Sequence, residues 1–167
     1  MNKNKKKVYV SLSADILHEG HINILKMASK LGEVTVGLLT DQAITSYKQL
    51  PHLNYKQREI IIKNIRFVDK VIPQKTLDYT ENLNLIKPNY VVHGDDWKTG
   101  IQKIIRKKVI NILKKWSGSL IEVPYTKNIL YSKMKNKIIE TGTTPEIRKL
   151  KLRRLIDAKS ITRILET

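Results

Sequence analysis

Short runs of apolar residues alternate with segments of helical spacing along most of this chain. Residues 8–12 alternate between apolar and other positions, as in a strand, and the apolar residues between 24 and 31 recur every three or four positions. The next apolar run, residues 33–39, is continuous, which is typical of a strand buried on both faces. The pattern predicts a β-α-β unit whose two strands are parallel and joined by a right-handed crossover.

The same alternation continues to residue 123. Asn54 is a predicted helix N-cap, and Pro73 and Pro88 are predicted to end a strand and a helix. The predicted strands are residues 68–72, 89–93 and 119–123, and the predicted helices are residues 55–65, residues 78–87 and the region 98–115. Strands that alternate with helices predict an α/β fold, here a Rossmann-like, doubly wound parallel sheet of about five strands with ligands at the carboxyl ends of the strands.

Composition narrows the class of protein. The chain has 167 residues, enough for one α/β domain and a short tail, and it has no cysteine, which excludes disulfides and thiolate metal sites. Residues 1–7 contain no apolar stretch of the kind found in signal peptides, and no apolar run is long enough to span a membrane. These features predict a soluble cytoplasmic protein without a membrane partner.

The formal net charge of +17 favours anionic ligands. Seven basic residues and no acidic residue lie between Lys98 and Lys115. The apolar residues among them nevertheless predict an amphipathic helix with a solvated basic face; they are Ile101, Ile104, Ile105, Ile112 and Leu113. No RNP, KH, zinc-finger or helix-turn-helix pattern accompanies the charge. The charge alone therefore does not predict a nucleic-acid partner.

The first predicted strand ends in a polar turn that precedes the first helix. His18 and His21 lie three residues apart there, with Gly20 between them, so both imidazoles can face one point if the helix begins near Glu19. A helix N-terminus attracts anions, and Gly20 allows a ligand to approach the backbone. From the residues alone, an anion site and two unrelated histidines are both open interpretations.

The segment His18-Glu19-Gly20-His21, preceded by Asp15, resembles the HxGH signature of the nucleotidylyltransferase superfamily, in its cytidylyltransferase branch. Ser13-Ala14-Asp15 is similar to the variant found in cytidylyltransferases of phosphonate biosynthesis. The resemblance implies that Ser13, Ala14, Asp15 and Gly20 bind nucleotide and that His18 and His21 donate to its phosphates in the transition state. For Asp15 it leaves open whether the carboxylate orients a histidine or assists a metal ion.

A second motif, Gly94-Asp95-Asp96-Trp97, follows the predicted fourth strand. The glycine permits a tight turn, which we expect to aim both carboxylates and the indole outward. Such carboxylates act as helix caps, metal ligands or nucleotide contacts, and the residues alone favour capping. The motif is similar to the Gly-Asp-Asp-Trp beside the cytidine pocket of glycerol-3-phosphate and phosphocholine cytidylyltransferases. The resemblance implies that Gly94, Asp95, Asp96 and Trp97 bind nucleotide and that CTP is preferred to ATP.

Three basic residues gain a role only from the resemblance. Lys48 lies in a predicted loop, residues 46–54, and by itself it is interpreted as a solvated side chain. Arg58 and Arg66 are by themselves interpreted as surface charges or as partners for Glu59 or Asp69. Relatives carry a lysine in the loop after the second strand that reaches the phosphates being exchanged, and both arginines match family patterns. The resemblance implies that Lys48 is catalytic and that Arg66 binds nucleotide.

The segment after the fifth predicted strand matches the family in part. Relatives have Arg-Thr-x-Gly-Ile-Ser-Thr-Thr, whose small and hydroxyl residues hold a triphosphate at a helix N-terminus. This chain has Tyr125-Thr-Lys-Asn-Ile-Leu-Tyr-Ser132, so Thr126, Ile129 and Ser132 match and Tyr125 replaces the arginine. The resemblance implies that the three matching residues bind nucleotide. The replacements predict either weak CTP binding or compensation by neighbouring lysines.

The resemblance covers residues 8–139 and predicts a cytidylyltransferase domain at residues 1–140. The remainder, residues 141–167, is predicted to be a linker and a basic helical tail that resembles the start of a phosphoenolpyruvate mutase, without any catalytic residue of that enzyme. An ordinary basic helix is the alternative interpretation. The resemblance implies a separate mutase partner or a lost fusion.

These matches together predict transfer of CMP from CTP to a small phosphonate or phosphate monoester, with release of pyrophosphate and with Mg²⁺ bound to CTP. Lys48 neutralises charge on the transferring groups in this hypothesis, and Asp95 with Trp97 holds cytidine. The metal ligands stay unassigned, and a homodimer is compatible with the sequence. The alternatives are a glycerol-3-phosphate, phosphocholine or phosphoethanolamine cytidylyltransferase and a nucleotide-binding domain that has lost turnover.

Overall fold

The computed structural model describes residues 5–98 and 102–124. All described elements belong to the first of the two units into which the chain divides. The strands are β1 (Lys7–Leu12), β2 (Glu33–Leu39), β3 (Lys70–Gln74), β4 (Tyr90–Gly94) and β5 (Ser119–Val123). The helices are α1 (Glu19–Leu31), α2 (Asp41–Thr45), α3 (Tyr55–Lys63), α4 (Thr80–Ile86) and α5 (Gln102–Leu113), and 3-10 turns cover Asp95–Lys98 and Lys114–Trp116. None of these described helices is long and apolar enough to cross a membrane.

The five strands form one parallel sheet in the order β3-β2-β1-β4-β5. β1 lies in the centre, paired with β2 on one side and with β4 on the other. The chain therefore winds outward through β2 and β3 and then in the opposite direction through β4 and β5. An open α/β sheet binds ligands where the winding reverses, at the carboxyl ends of its strands. The prediction of a Rossmann-like parallel sheet of five strands is confirmed.

The central strand is covered on both faces, so all of its residues from Val8 to Leu12 are buried. Val8, Val10 and Leu12 are buried against α1 and against residues of β2 and α3 that share their face. Tyr9 is buried on the opposite face, among residues of α4 and α5. A side chain at Gly37 of β2 would collide with the Tyr9 ring, so the close approach of these two strands requires glycine there.

Two local predictions are wrong. Pro73 does not end β3, which continues to Gln74, because β3 is an edge strand whose outer side needs no N–H donor. Ile104 does not belong to the buried side of α5 and is 72% exposed. The buried residues of α5 are Val109, Ile112 and Leu113, at the three- and four-residue spacing that faces the core. The predicted tail and the predicted domain boundary at residue 140 lie outside the described residues and stay predictions.

Arg58 of α3 ties together the loops at the carboxyl edge of the sheet, and its side chain is fully buried. Its guanidinium donates to the carbonyl oxygens of Ser13 (2.6 Å), Leu39 (2.8 Å) and Leu53 (3.0 Å) and to the carboxylate of Asp41 (2.5 Å). These acceptors lie in the turn after β1, at the end of β2, in the loop before α3 and at the start of α2. A buried charge requires such partners, so one side chain fixes four segments. The interpretation of Arg58 as a solvated charge is therefore wrong.

We expect Arg58→Ala to lower the free energy of unfolding by about 3–5 kcal/mol, because it removes a buried charge from four acceptors that remain in place. Arg58→Lys keeps the charge but cannot reach all four acceptors, so its loss should be smaller. Urea unfolding followed by circular dichroism measures both variants. Lys63→Ala, at an exposed position of the same helix, is the control and should stay within about 1 kcal/mol of the wild type. An Arg58→Ala protein as stable as the wild type would contradict the assigned role.

Candidate active site

The two histidines of the first motif lie at the start of α1, directly after the turn that leaves β1. His18 is the N-cap, and its Nδ1 accepts a hydrogen bond from the Gly20 N–H at 3.2 Å. His21 reaches back, and its Nδ1 accepts from the His18 N–H in a longer contact of 3.4 Å. This reciprocal capping places the two ring centroids 4.0 Å apart. The structure therefore brings His18 and His21 together, and the local spacing accounts for it.

The same capping contacts determine which ring nitrogen carries the proton. Because both Nδ1 atoms accept from backbone N–H groups, each neutral imidazole carries its hydrogen on Nε2. His18 and His21 therefore each present an Nε2–H, which donates hydrogen bonds. Such donors suit the oxygens of an anionic ligand.

Both imidazoles are uncharged at neutral pH. Burial lowers the pKa of His21 to about 4, and the neighbouring His18 and Lys48 act in the same direction. Burial also lowers the pKa of His18, and the carboxylate of Glu19 opposes it. The pair can therefore donate hydrogen bonds without carrying charge, and Lys48 lies close enough to influence His21 electrostatically.

Lys48 lies beyond α2 and reaches back to the turn after β1. Its ammonium donates to the hydroxyl of Ser13 at 3.2 Å. Burial lowers the pKa of Lys48, Arg58 acts in the same direction, and Asp15 opposes them. The structure thus brings Lys48, Ser13 and His21 to one end of the sheet, as the resemblance implies.

Asp15 holds the loop that carries Lys48. Its carboxylate accepts from the N–H groups of His52 (2.6 Å) and Leu53 (3.4 Å) and from Nδ1 of His52 (3.1 Å). Burial alone would raise the pKa of Asp15, but these hydrogen bonds outweigh it and hold the pKa below its usual range. The carboxylate therefore orients a histidine in this structure, and its assistance to a metal ion stays a prediction. That histidine is His52, in an aperiodic loop where the sequence gives no signal for it.

Ala14 contributes its backbone rather than its side chain to this turn. Its side chain is 3% exposed, and its φ of 51° lies in the left-handed region that residues other than glycine rarely adopt. Gly20 is the second residue of α1, and its N–H is taken up by His18. Any nucleotide contact by Ala14 is therefore limited to its backbone atoms.

The prediction that the Gly94 to Trp97 turn aims its indole outward is wrong. Trp97 is 1% exposed, its Nε1–H donates to Glu122 at 2.9 Å, and its ring stacks on His93 with centroids 3.8 Å apart and planes 8° from parallel. Burial of this large apolar ring against α5 is more favourable than its exposure to water, so the side chain points inward. The side chain of Asp96 is 54% exposed, and Gly94 is the last residue of β4. The turn therefore places the carboxylates of Asp95 and Asp96, but not the indole of Trp97, at the carboxyl edge.

The remaining predicted residues do not join this group. Arg66 precedes β3 and is exposed, with its guanidinium 5.2 Å from the ring of Phe67. The nearby Asp69 N–H donates to the carbonyl of Val34, so this part of the chain lies at the amino ends of the strands. Arg66 is therefore on the opposite edge, and the structure does not support its predicted contact with a nucleotide in the same chain. Thr126, Ile129 and Ser132 lie outside the described residues.

No group of three or more His, Cys, Asp or Glu side chains is placed to hold a metal ion within residues 5–98 and 102–124. The carboxylate of Asp15 is engaged by the loop at residues 52–53. Magnesium takes few protein ligands when substrate phosphates and water supply the others. Binding of magnesium together with the nucleotide therefore stays a prediction.

Protonation of His21 should make the fold less stable in acid. Its pKa is about 4 in the folded chain and near 6.5 when unfolded, so the unfolded state binds more protons between these values. Stability therefore falls as the pH decreases through this window, by at most on the order of 3 kcal/mol for this group. We expect His21→Asn, which cannot titrate but keeps an acceptor for the His18 N–H, to flatten the dependence measured by urea unfolding across this pH range. An unchanged pH dependence would contradict the buried, neutral state of His21.

Comparison with protein families and curated proteins agrees with this geometry. Residues 13–154 match the family model described as Cytidylyltransferase-like. The chain is 31% identical over 130 residues to the glycerol-3-phosphate cytidylyltransferase of Staphylococcus aureus, covering 77% of this chain and 97% of the relative. It is 33% identical over 101 residues to the ethanolamine-phosphate cytidylyltransferase of Dictyostelium discoideum, covering 59% and 28%. It is also 33% identical over 146 residues to the FAD synthase of Pyrococcus horikoshii, covering 83% and 93%.

A solved structure has a similar fold. The lipopolysaccharide core biosynthesis protein of Thermoplasma volcanium superposes with a TM-score of 0.61 at 25% identity, over 74% of this chain and 98% of that protein. The family match covers most of the chain and includes the histidine turn, the Lys48 loop and the Gly94 turn. This chain therefore belongs to the cytidylyltransferase-like family of nucleotidyltransferases.

Proposed function

We propose that this chain transfers CMP from CTP to a small phosphate monoester of the glycerol 3-phosphate or phosphoethanolamine kind and releases pyrophosphate. The observation that carries the proposal is the convergence of two Nε2–H donors, on His18 and His21, with the ammonium of Lys48 at the carboxyl edge of the sheet. The relatives named above supply the acceptor class, since one is a glycerol-3-phosphate and another an ethanolamine-phosphate cytidylyltransferase.

The reaction is an in-line displacement at the α-phosphorus of CTP. A phosphate oxygen of the acceptor forms a bond to that phosphorus while the bond to the oxygen bridging the α- and β-phosphates breaks, and pyrophosphate leaves with the electron pair. The nucleophile is already an anion at neutral pH, so no general base is required. The protein must position two anions against each other and stabilise the charge that develops.

The described residues can meet these demands. His18 and His21 donate from fixed Nε2–H groups, which need no reorganisation when charge moves onto the phosphate oxygens. Lys48 supplies positive charge that offsets the repulsion between the two anionic reactants. Asp15 and Ser13 act indirectly, because Asp15 holds the Lys48 loop and Ser13 accepts from the ammonium. Magnesium, bound together with CTP, would supply positive charge that stabilises the phosphates and the leaving pyrophosphate.

The base is assigned to the turn that follows β4. A carboxylate accepts hydrogen bonds from the exocyclic amino group of cytosine, and Asp95 and Asp96 lie in this turn. Because Trp97 is buried, it supports the turn from within rather than stacking on the base. FAD contains an adenine nucleotide, so the similarity to a FAD synthase makes base selection a separate question from transfer.

A phosphonate acceptor and a mutase partner rest only on the resemblance of Ser13-Ala14-Asp15 and of residues 141–167 to phosphonate enzymes. The relatives reported above favour a phosphate monoester instead. Phosphonates therefore enter the proposal as an arm of its test.

A substrate panel tests the proposal directly. Pyrophosphate release should require both CTP and an acceptor, and glycerol 3-phosphate or phosphoethanolamine should support the highest kcat/KM. We expect ATP to be used at least about tenfold less well, because a pocket that hydrogen-bonds one base leaves polar groups unpaired with another. Equal use of ATP would contradict the base assignment. Preference for 2-aminoethylphosphonate by a wide margin would restore the phosphonate hypothesis, and no release with any acceptor would overturn transfer itself.

Replacement of His21 separates catalysis from binding. His21→Ala should lower kcat on the order of a hundred- to a thousandfold, because it removes a preorganised donor whose bond strengthens in the transition state. The Kd for CTP should change much less, which calorimetry measures on the same protein. Lys26→Ala, on the exposed side of α1, serves as the control and should leave both quantities near wild type. A His21→Ala enzyme with near wild-type kcat would show that the donor role is misassigned.

A further inference from the structure

Glu122 in β5 accepts hydrogen bonds from donors on two other elements. Arg106 of α5 donates to both carboxylate oxygens, from Nε at 2.8 Å and from its terminal nitrogen at 2.9 Å. The Nε1–H of Trp97 donates to the first of these oxygens at 2.9 Å, and the ammonium of Lys98 lies 3.6 Å from the second. The side chain of Glu122 is only 17% exposed. A charged residue in this short strand is the signal that sequence reasoning missed.

The carboxylate connects through Trp97 to the turn assigned to the base. The indole of Trp97 stacks on His93, which lies beside Glu122 in the register of β4 and β5. His93 contacts the carbonyl oxygen of Gly94 through Nδ1 at 2.9 Å, and its Nδ1 is 3.9 Å from Asp96. Three successive contacts, through Trp97 and His93, therefore link Glu122 to the backbone of this turn.

The electrostatic setting makes the first of these contacts strong. The hydrogen bond from Arg106 is the main reason why the pKa of Glu122 is lowered to about 2. Burial opposes this effect, whereas Trp97 and Lys98 also lower the pKa. The indole therefore donates to a full negative charge, and such hydrogen bonds are roughly twice as strong as those between neutral groups. Arg106 occupies both carboxylate oxygens and so fixes the direction in which the carboxylate faces.

We propose that Glu122 is a positioning residue for nucleotide binding: it fixes Trp97 and, through the stacked His93, the turn at residues 94–96, without touching the nucleotide. This inference rests on the proposed function, which assigns the base of CTP to that turn. The inference goes beyond the proposed function because it names a residue on another strand that controls the affinity for CTP.

An ion pair that merely joined α5 to the edge strand would give a different result. Loss of such a pair lowers stability but leaves substrate affinities of the folded protein unchanged. A positioning role predicts instead that affinity for CTP falls while the acceptor KM and kcat stay near wild type. A weaker affinity for CTP with an unchanged acceptor KM therefore distinguishes a positioning role from a purely structural one.

The test compares Glu122→Gln with Glu33→Gln in the full chain. Glu33 forms a similar ion pair with Lys70 at 2.8 Å, but at the amino ends of the strands, so both variants change the net charge equally. We expect Glu122→Gln to raise the Kd and KM for CTP about 3- to 30-fold, because a charge-assisted hydrogen bond becomes a neutral one. Its kcat and acceptor KM should stay within about twofold. Glu33→Gln should leave all four quantities near wild type.

Trp97→Phe examines the same link from the other side and leaves the pair between Glu122 and Arg106 intact. If Glu122 acts through the indole N–H, a variant that combines Glu122→Gln with Trp97→Phe should bind CTP no more weakly than Trp97→Phe alone. Multiplicative effects of the two substitutions on Kd would overturn the proposed route. Fluorescence in a Trp116→Phe background reports on Trp97 alone and should shift when Glu122 is replaced.

The outcomes separate this inference from the proposed function. If the wild type binds CTP and transfers CMP but Glu122→Gln lowers only the melting temperature, the inference is wrong and the function stands. If the wild type binds CTP without turnover, the Kd comparison still decides the inference while the transfer proposal fails. If the wild type binds no CTP, both are wrong.

Discussion

The buried guanidinium of Arg58 is the interaction on which the carboxyl edge of this sheet depends. A fully buried charge is tolerated only when its donors are satisfied, and here the acceptors come from the turn after β1, the end of β2, the start of α2 and the loop before α3. These segments cannot move independently without exposing the charge or leaving carbonyl oxygens unpaired. Asp15 adds a second tie between the first turn and the same loop. Lys48 is held near Ser13 as a consequence of both.

The chain as a whole is strongly basic, whereas the two histidines of its site are uncharged. The chain carries a formal charge of +17, which raises the local concentration of anions and favours their approach. The histidines at the site are nevertheless neutral, because burial lowers the pKa of both and the neighbouring Lys48 lowers the pKa of His21 further. Attraction over distance therefore comes from the surface and from Lys48, whereas His18 and His21 supply directed hydrogen bonds. Fixed neutral donors stabilise charge that develops during a reaction more selectively than a diffuse positive field does.

Features set by neighbouring residues in the sequence are those that could be predicted. The five strands follow from apolar runs, and the meeting of His18 with His21 follows from a spacing of three residues at a helix start. Other features depend on partners far along the chain: Arg58 donates to Ser13, 45 residues away, Asp15 contacts His52, 37 residues away, and Trp97 donates to Glu122, 25 residues away. Sequence pattern carries no signal for such partners, so it predicts neither the burial of Arg58 nor the inward direction of the Trp97 indole. The resemblance identifies the family correctly, but a matched pattern does not say which edge of the sheet its residues occupy, and Arg66 lies near the amino ends of the strands.

A crystal structure of the chain with CTP and magnesium tests the central claim most directly. The account predicts that the α-phosphate lies within hydrogen-bond distance of Nε2 of both His18 and His21, with Lys48 beside the phosphates and the cytosine against the turn at residues 94–96. It also predicts that Trp97 stays buried, with its N–H directed to Glu122. A triphosphate bound elsewhere, or one that meets these imidazoles only after their Nδ1 contacts with the helix start have broken, would contradict the account.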